Sequence, residues 1–255
     1  MEIDLNSDVG EGFGPWRMGD DGALMQVISS ANIACGYHAG DPVIMDATVR
    51  LAAERGIDIG AHVGFPDLMG FGRRQMDIPA HELAKYVLYQ LGALAGIAKA
   101  AGRAMTHMSF HGALGNMAAA DLSLAEPLVR AVAEFDPRLI ISVSTGTAIE
   151  RVADKLGIRV ATTFLADRAY DDAGNLVSRK LPGAVIHDPG EVMARVMRLL
   201  QDRSVLSHAG KSLPMRVRSI LLHGDTPGAV ALAKAVRAAI EAGGGRVVPL
   251  SRLCA

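Results

Sequence analysis

The chain has 255 residues, and 26 lysines and arginines against 27 aspartates and glutamates leave a formal net charge of -1. That balance excludes a general nucleic-acid binder and a polybasic membrane-surface protein, because both depend on surplus positive charge. Half of the chain (50%) is hydrophobic but only 4% aromatic, so a sizeable core has to be assembled from Ala, Val, Leu, Ile and Met; the 28 glycines exceed ordinary usage. The opening Met-Glu-Ile-Asp-Leu-Asn is acidic where a secretory signal is basic and then apolar. No stretch approaches the roughly 18 apolar residues of a membrane span. With Cys35 and Cys254 far apart and read as reduced thiols, the expectation is a cytoplasmic protein.

In chain order, β-like runs at 3–5 and 32–34 precede a helix at 41–55, where Asp41 suits the N-cap, Pro42 the first turn and Gly56 the C-terminal stop. A strand at 57–61 leads to a long helix at 79–101, closed by Gly102, and a strand at 104–110 to a helix at 121–134 containing Pro127. A strand at 139–143, a helix at 145–156 stopped by Gly157, and strands at 159–164 and 184–186 follow. The last elements are a helix at 189–201, a strand at 219–223, a helix at 226–242 and a strand at 246–249. Strand and helix alternate throughout, which implies parallel pairing with right-handed crossovers, as a barrel or an open doubly wound sheet. No linker, low-complexity tract or charge block interrupts residues 1–255, so one domain is expected.

Polar residues collect where the strands end. Asn6-Ser7-Asp8-Val9-Gly10-Glu11, Cys35-Gly36-Tyr37-His38, His62 with Asp67, His111 with Asn116, Asp167-Arg168, and His223-Gly224-Asp225 each follow a predicted strand. In parallel α/β folds that rim carries the active site. Histidine and aspartate there supply acid/base groups titrating near neutrality, or nitrogen and oxygen ligands for a divalent metal. His81, His107, His187 and His208 lack this context and read as structural or surface residues. Arg73-Arg74, after Gly70-Phe71-Gly72, could clamp a carboxylate or phosphate. Ala209-Gly210-Lys211-Ser212 lacks the upstream glycine of a phosphate loop, and Gly10, Gly12 and Gly14 do not make the dinucleotide fingerprint. A serine-hydrolase elbow and a His-Glu-x-x-His motif are both missing.

The segments Asn6–Glu11, Trp16-Arg17-Met18-Gly19-Asp20-Asp21, Ser30-Ala31-Asn32-Ile33-Ala34-Cys35-Gly36-Tyr37-His38-Ala39-Gly40-Asp41-Pro42 and His223-Gly224-Asp225-Thr226-Pro227-Gly228-Ala229-Val230 closely resemble the lactam-utilisation (LamB/YcsF) family. The likeness runs end to end and includes Gly70–Arg74, Ala166–Tyr170 and Pro182–Ile186. It implies a single-domain, distorted TIM-like (β/α) barrel of about seven to eight parallel strands, akin to carbohydrate deacetylases. The reaction it implies opens 5-oxo-L-proline or a related lactam to an amino acid, with ATP as co-substrate and Mg²⁺ beside it. Two further subunits, the B and C components of ATP-dependent 5-oxoprolinase, would be partners, with a homo-oligomer also open.

On this resemblance Asp8, Glu11, His38, His62 and His111 would act as acid/base or metal-coordinating groups, with Asp8, His38, His62 and His111 as candidate metal ligands. Arg73 or Arg74 would hold the substrate carboxylate, and Asp167, Arg168, His223 and Asp225 would complete the far wall. Asn6, Asp41, Asp67 and Asn116 are further candidates for substrate contact. The chain departs from the family pattern at Ser7, Val63, Ser109, Phe110 and Gly115, where Cys, Pro, Lys, Pro and Tyr are usual. A metal-dependent deacetylase-type hydrolase is the alternative reading, and a ligand-binding subunit without chemistry of its own is a third.

Overall fold

The computed structural model describes residues 1–225 and 228–254. In chain order come β1 (Glu2–Val9), α1 (Asp21–Leu24), β2 (Ser30–Ala34), α2 (Pro42–Arg55), β3 (Asp58–Val63), α3 (Ala80–Ala100) and β4 (His107–Phe110). Then follow α4 (Gly112–Ala120), α5 (Leu122–Phe135), β5 (Ile140–Val143), α6 (Ala148–Leu156), β6 (Val160–Leu165) and α7 (Pro189–Asp202). The chain continues through β7 (Ser204–Leu206), β8 (Ser212–Pro214), β9 (Ser219–His223), α8 (Ala229–Ala242), β10 (Arg246–Val247) and α9 (Leu250–Leu253). Strands β1 to β6 and β9 pair in parallel, and β9 returns to β1 with His223 opposite Asp8, closing a seven-stranded barrel. β10 extends only the foot of β1, at Glu2 and Ile3.

Local rules account for the helix ends. Asp41 accepts the N–H groups of Val43 and Ile44, and Gly56 closes α2 in the left-handed region at φ 68. Thr147 and Gly157 bracket α6 in the same way. Strand periodicity accounts for the barrel lining. Along β1, Ile3, Leu5 and Val9 join the apolar cluster shared with helix residues such as Val49, Val87 and Val236, while Asp4, Asn6 and Asp8 alternate onto the opposite face. The interior is therefore polar. At its foot Asp4 accepts the hydroxyls of Ser29 at 2.7 Å and Ser219 at 2.5 Å, and burial pushes its carboxyl up to about 6 despite those bonds.

The structure corrects two of the expected strands and adds elements at 112–116 and around 210. Residues 184–186 are not a barrel strand; they fold back across the segment after β6, with Ala169 N–H bonded to Ala184 and Ile186 N–H to Asp167. The strand expected at 104–110 begins only at His107. Residues 112–116 form the start of α4 instead of a loop. The Gly210-Lys211-Ser212 segment makes the turn into β8 of the antiparallel β7–β8 hairpin. Thr226, the expected start of the last long helix, and Pro227 lie outside the described residues. Both cysteines are buried and free. No helix among the described residues is long and apolar enough to cross a membrane.

Candidate active site

Four consecutive strands and the loops after them bring buried polar groups to one mouth of the barrel. β1 presents Asp8 and, just beyond it, Glu11; the loop after β2 supplies His38; β3 supplies His62; and His111 is the first residue past β4, at the N-terminus of α4. Each is at most 5% exposed. His38 Nε2 lies 3.2 Å from Glu11 Oε1, which is itself 3.6 Å from His111 Nδ1. His111 Nδ1 and His62 Nε2 face one another at 2.9 Å. The outer nitrogens are tethered: His111 Nε2–H donates to the Phe71 carbonyl at 2.8 Å, and His62 Nδ1 pairs with Ser109 Oγ at 2.7 Å. Close packing demands a glycine beside them. A Cβ on Gly72, whose φ is +62, would come within 2.8 Å of both His111 and His38.

A second group adjoins the first through Asp8. Its Oδ2 is 3.4 Å from His62 Nε2 and 3.9 Å from His223 Nε2, while Asp167 takes His223 Nδ1 at 2.8 Å. Asn32 Nδ2 donates to Asp8 Oδ1 at 2.8 Å, and His107 Nε2–H donates to Asn32 Oδ1 at 3.1 Å. Thr106 Oγ1, 3.0 Å from His107 Nδ1, completes a buried relay.

The electrostatics divide the site. Burial opposes charge on Asp8, yet the imidazoles of His62 and His223 and the Asn32 amide hold it well below the usual carboxylate range. Burial likewise opposes charge on His223, but Asp167 and then Asp8 outweigh it and raise the imidazole. Glu11 is raised well above its ordinary value by burial and by Asp8. Burial and the neighbouring rings push His38 and His111 well below theirs. One side thus favours charge on Asp8, Asp167 and His223, and the other disfavours it on Glu11, His38 and His111.

Several other sequence candidates bond within the scaffold. Asp41 caps α2 and accepts Gly14 N–H at 2.7 Å. Asp67 accepts Gly70 N–H and the Arg74 guanidinium, so Arg74 is engaged within its own loop. Arg168 is 3% exposed and donates to the carbonyls of Ala184 and Val177, clamping the folded-back segment. Asn116 is exposed on α4 and makes no hydrogen bond to these groups among the described residues. Asn6 points into the barrel below Asp8, with both amide atoms buried and unpartnered. Arg73 remains at the mouth, bonded to Asp225 at 2.8 Å with its guanidinium 4.8 Å from the centre of the Phe71 ring.

Sequence alone does not single out Asn32, His107, Ser109 and Arg179, and of these His107, read as structural or surface, is a buried support of the Asn32–Asp8 pair. The first three sit at inward positions of strands, a period-two signal that was available. Arg179 is exposed in the folded-back segment; partial desolvation and Arg73 lower it, while Asp225, Asp167 and Asp8 draw it the other way. Nothing in a loop sequence marks it. At Gly115 a Cβ would lie 2.6 Å from the Phe110 carbonyl, so the tyrosine usual in the resembled family needs a shifted α4.

Comparison with known proteins extends this picture. The profile of the LamB/YcsF family matches residues 3–255. The chain is 66% identical over 252 residues to the second of the 5-oxoprolinase A subunits of Ralstonia nicotianae, covering 99% of this chain and 97% of that one. It is 64% identical over 253 residues to the first of the 5-oxoprolinase A subunits of Pseudomonas syringae pv. tomato, covering 99% of each. The crystal structure of a lactam utilization protein from Thermus thermophilus superposes with a TM-score of 0.92 at 40% identity, over 98% of this chain and 100% of that one.

Proposed function

The chain belongs to the LamB/YcsF family, and from that premise we propose that it is the A component of an ATP-dependent lactam hydrolase that opens 5-oxo-L-proline to L-glutamate. The observation that carries the reading is the buried convergence of Glu11, His38, His62 and His111, whose ligand-type atoms lie within 4.8 Å of one another, beside the Asp8–His223–Asp167 group. The relatives at 66% and 64% identity are named as A subunits of 5-oxoprolinase, which supports the substrate class.

The chemistry needs what such a mouth can supply. A five-membered lactam is resonance-stabilised and its nitrogen is a poor leaving group. Phosphoryl transfer from ATP to the lactam oxygen gives an activated imidate, with ADP as the other product. Water then adds at the former carbonyl carbon, the ring C–N bond breaks as the nitrogen takes a proton, and the resulting acyl phosphate is hydrolysed to glutamate and phosphate. In this scheme the His38–His62–His111–Glu11 cluster surrounds the attacking water. His223, whose charged form Asp167 and Asp8 favour, supplies the proton to the departing nitrogen. Arg73, with Arg179 near it, receives the substrate carboxylate. ATP with Mg²⁺ and the B and C components complete the reaction, in the cytoplasm.

The test is a coupled assay for ADP and glutamate with 5-oxoproline and a panel of other lactams, with and without the two partner subunits. Release of both products in the complete mixture is expected, with a drop of about 100-fold or more on alanine substitution at His38 or His111. No ADP from any lactam in the complete mixture refutes the reading. Amide hydrolysis by this chain alone, without ATP, would mark the deacetylase-type hydrolase instead.

A further inference from the structure

We propose that His62 Nε2, His111 Nδ1 and the Glu11 carboxylate form a binding site for one divalent first-row transition ion, zinc foremost, with His38 and Ser109 as its outer support. The inference rests on the geometry of these side chains and does not need the lactam reading.

Three observations carry it. First, His62 Nε2 and His111 Nδ1 are 2.9 Å apart on rings inclined at 84°, and with Glu11 and His38 they form a group whose ligand-type atoms all lie within 4.8 Å of one another. Donors around a tetrahedral zinc ion are about 3.3 Å apart, given metal–nitrogen bonds of about 2.0–2.1 Å. Glu11 Oε1 at 3.6 Å from His111 Nδ1 lies close to that spacing. Asp8 Oδ2, 3.4 Å from His62 Nε2, offers a further oxygen to the same ion.

Second, the outer nitrogens are already used as metal-bound histidines use theirs. The Phe71 carbonyl can only accept, so His111 carries its proton on Nε2 and leaves Nδ1 as a lone pair in the neutral ring. Ser109 Oγ holds the far nitrogen of His62, turning Nε2 inward. Two imidazoles and a carboxylate suit zinc, cobalt, iron or manganese better than the all-oxygen shells of calcium and magnesium.

Third, the buried carboxylates have no lysine or arginine of their own. Glu11 and Asp8 are buried at 5% and 4% exposure, and among the described residues no lysine or arginine forms an ion pair with either. A divalent ion at this place would supply positive charge to these two buried carboxylates.

His38 is not a ligand. Its ring stacks on His111 with centroids 3.7 Å apart and planes 7° from parallel, so the two in-plane lone pairs run side by side and cannot meet at one ion. It acts on Glu11, bonded to Oε1 at 3.2 Å, and is a positioning residue for that carboxylate. Joined to the proposed reaction, the ion would add the polarisation that activates the attacking water.

The experiment uses the full-length chain, stripped with a chelator and titrated with Zn²⁺ alone by calorimetry and with Co²⁺ alone by visible absorption and proton NMR. One equivalent of each ion should bind. Bound cobalt should give ligand-field bands of a low-coordinate site and two paramagnetically shifted, exchangeable imidazole N–H signals, from His62 and His111. E11Q and H62Q should weaken binding by more than about 100-fold, and H38Q and S109A by about 10- to 100-fold. Far-ultraviolet dichroism and a melting curve establish that each variant is folded; for one that is not, the wild-type cobalt spectrum decides. No stoichiometric binding, binding retained in folded E11Q and H62Q, or any count of shifted imidazole signals other than two overturns the assignment, whatever the lactam assay returns.

Discussion

Replacing Gly60 by alanine tests how the barrel interior holds Asp8. Gly60 has an ordinary strand backbone, so alanine there faces no conformational penalty and by propensity alone would stabilise β3 by about 0.5–1 kcal/mol. The obstacle is His107. A Cβ on Gly60 would lie within 2.5 Å of three atoms of its ring, and that ring is fully buried. Moving it strains the core by about 1–3 kcal/mol. The same movement breaks the bond to Asn32 Oδ1 and leaves buried polar atoms unpaired, a further loss of about 1–3 kcal/mol. The net expectation is destabilisation of about 1–5 kcal/mol, a fall in Tm of about 2 °C or more for a chain of this size. Urea unfolding of wild type, G60A, H107A and the double variant forms the assay. Once the ring is gone the added methyl has room, so the cycle should show a coupling energy of about 1 kcal/mol or more. Additive effects, or a G60A loss below about 0.5 kcal/mol, refute the claim that His107 needs the glycine.

Other outcomes follow from individual residues. Asp4 titrates at about 6 in the folded chain against 3.8 for the free side chain, so the native state binds its proton more tightly. The stability it contributes is fully present below 3.8 and is lost as pH rises through about 6, a change of about 3 kcal/mol. Urea unfolding of wild type and D4N at pH 4 to 7.5 should therefore diverge with pH; a constant difference contradicts this. D41A should lower stability by about 1 kcal/mol through the lost α2 cap while leaving kcat/KM in the reconstituted complex unchanged, and a catalytic defect would return Asp41 to the site. R73A should raise KM for the lactam about tenfold or more while R74A leaves it unchanged, because Asp67 already holds Arg74 in its loop. Equal effects in steady-state kinetics would show that both arginines, or neither, meet the substrate.

The features legible in the sequence are those governed by near neighbours in the chain. Asp41 with Gly56, and Gly157, mark helix ends because a cap bonds backbone groups two to four residues away, whereas the helix expected from Thr145 starts only after its cap at Thr147. The mouth location of Asp8, His38, His62 and His111 was equally readable, since parallel strands alternating with helices send every strand's C-terminal end to one rim. α4 escaped because His111 makes no side-chain cap bond and Gly112 and Gly115 resemble a loop. The run at 184–186 is apolar enough for a strand, but its backbone partners are Asp167 and Ala169, nearby in the chain, so it never reaches the barrel.

What each polar side chain does was a matter for the tertiary structure. Sequence alone placed Arg73 and Arg74 as equals and Asp167 beside Arg168 on one wall. Folding separates them: Arg74 turns to Asp67 and Arg168 to two carbonyls, while Arg73 faces Asp225 and Asp167 faces His223. The same applies to His107, unremarkable in sequence, which the closure of β3 against β4 sets over Gly60 and beneath Asn32. The sequence by itself determined the alternating order of elements, the rim on which the chemistry gathers and a near-neutral surface without a nucleic-acid field. Only the closed barrel decided that Glu11 joins three imidazoles, that His38 stacks where it cannot share their focus and that Asp8 is held between His62 and His223. Such pairings join residues dozens to hundreds of positions apart, and they depend on strand register and ring orientation, which no local spacing specifies.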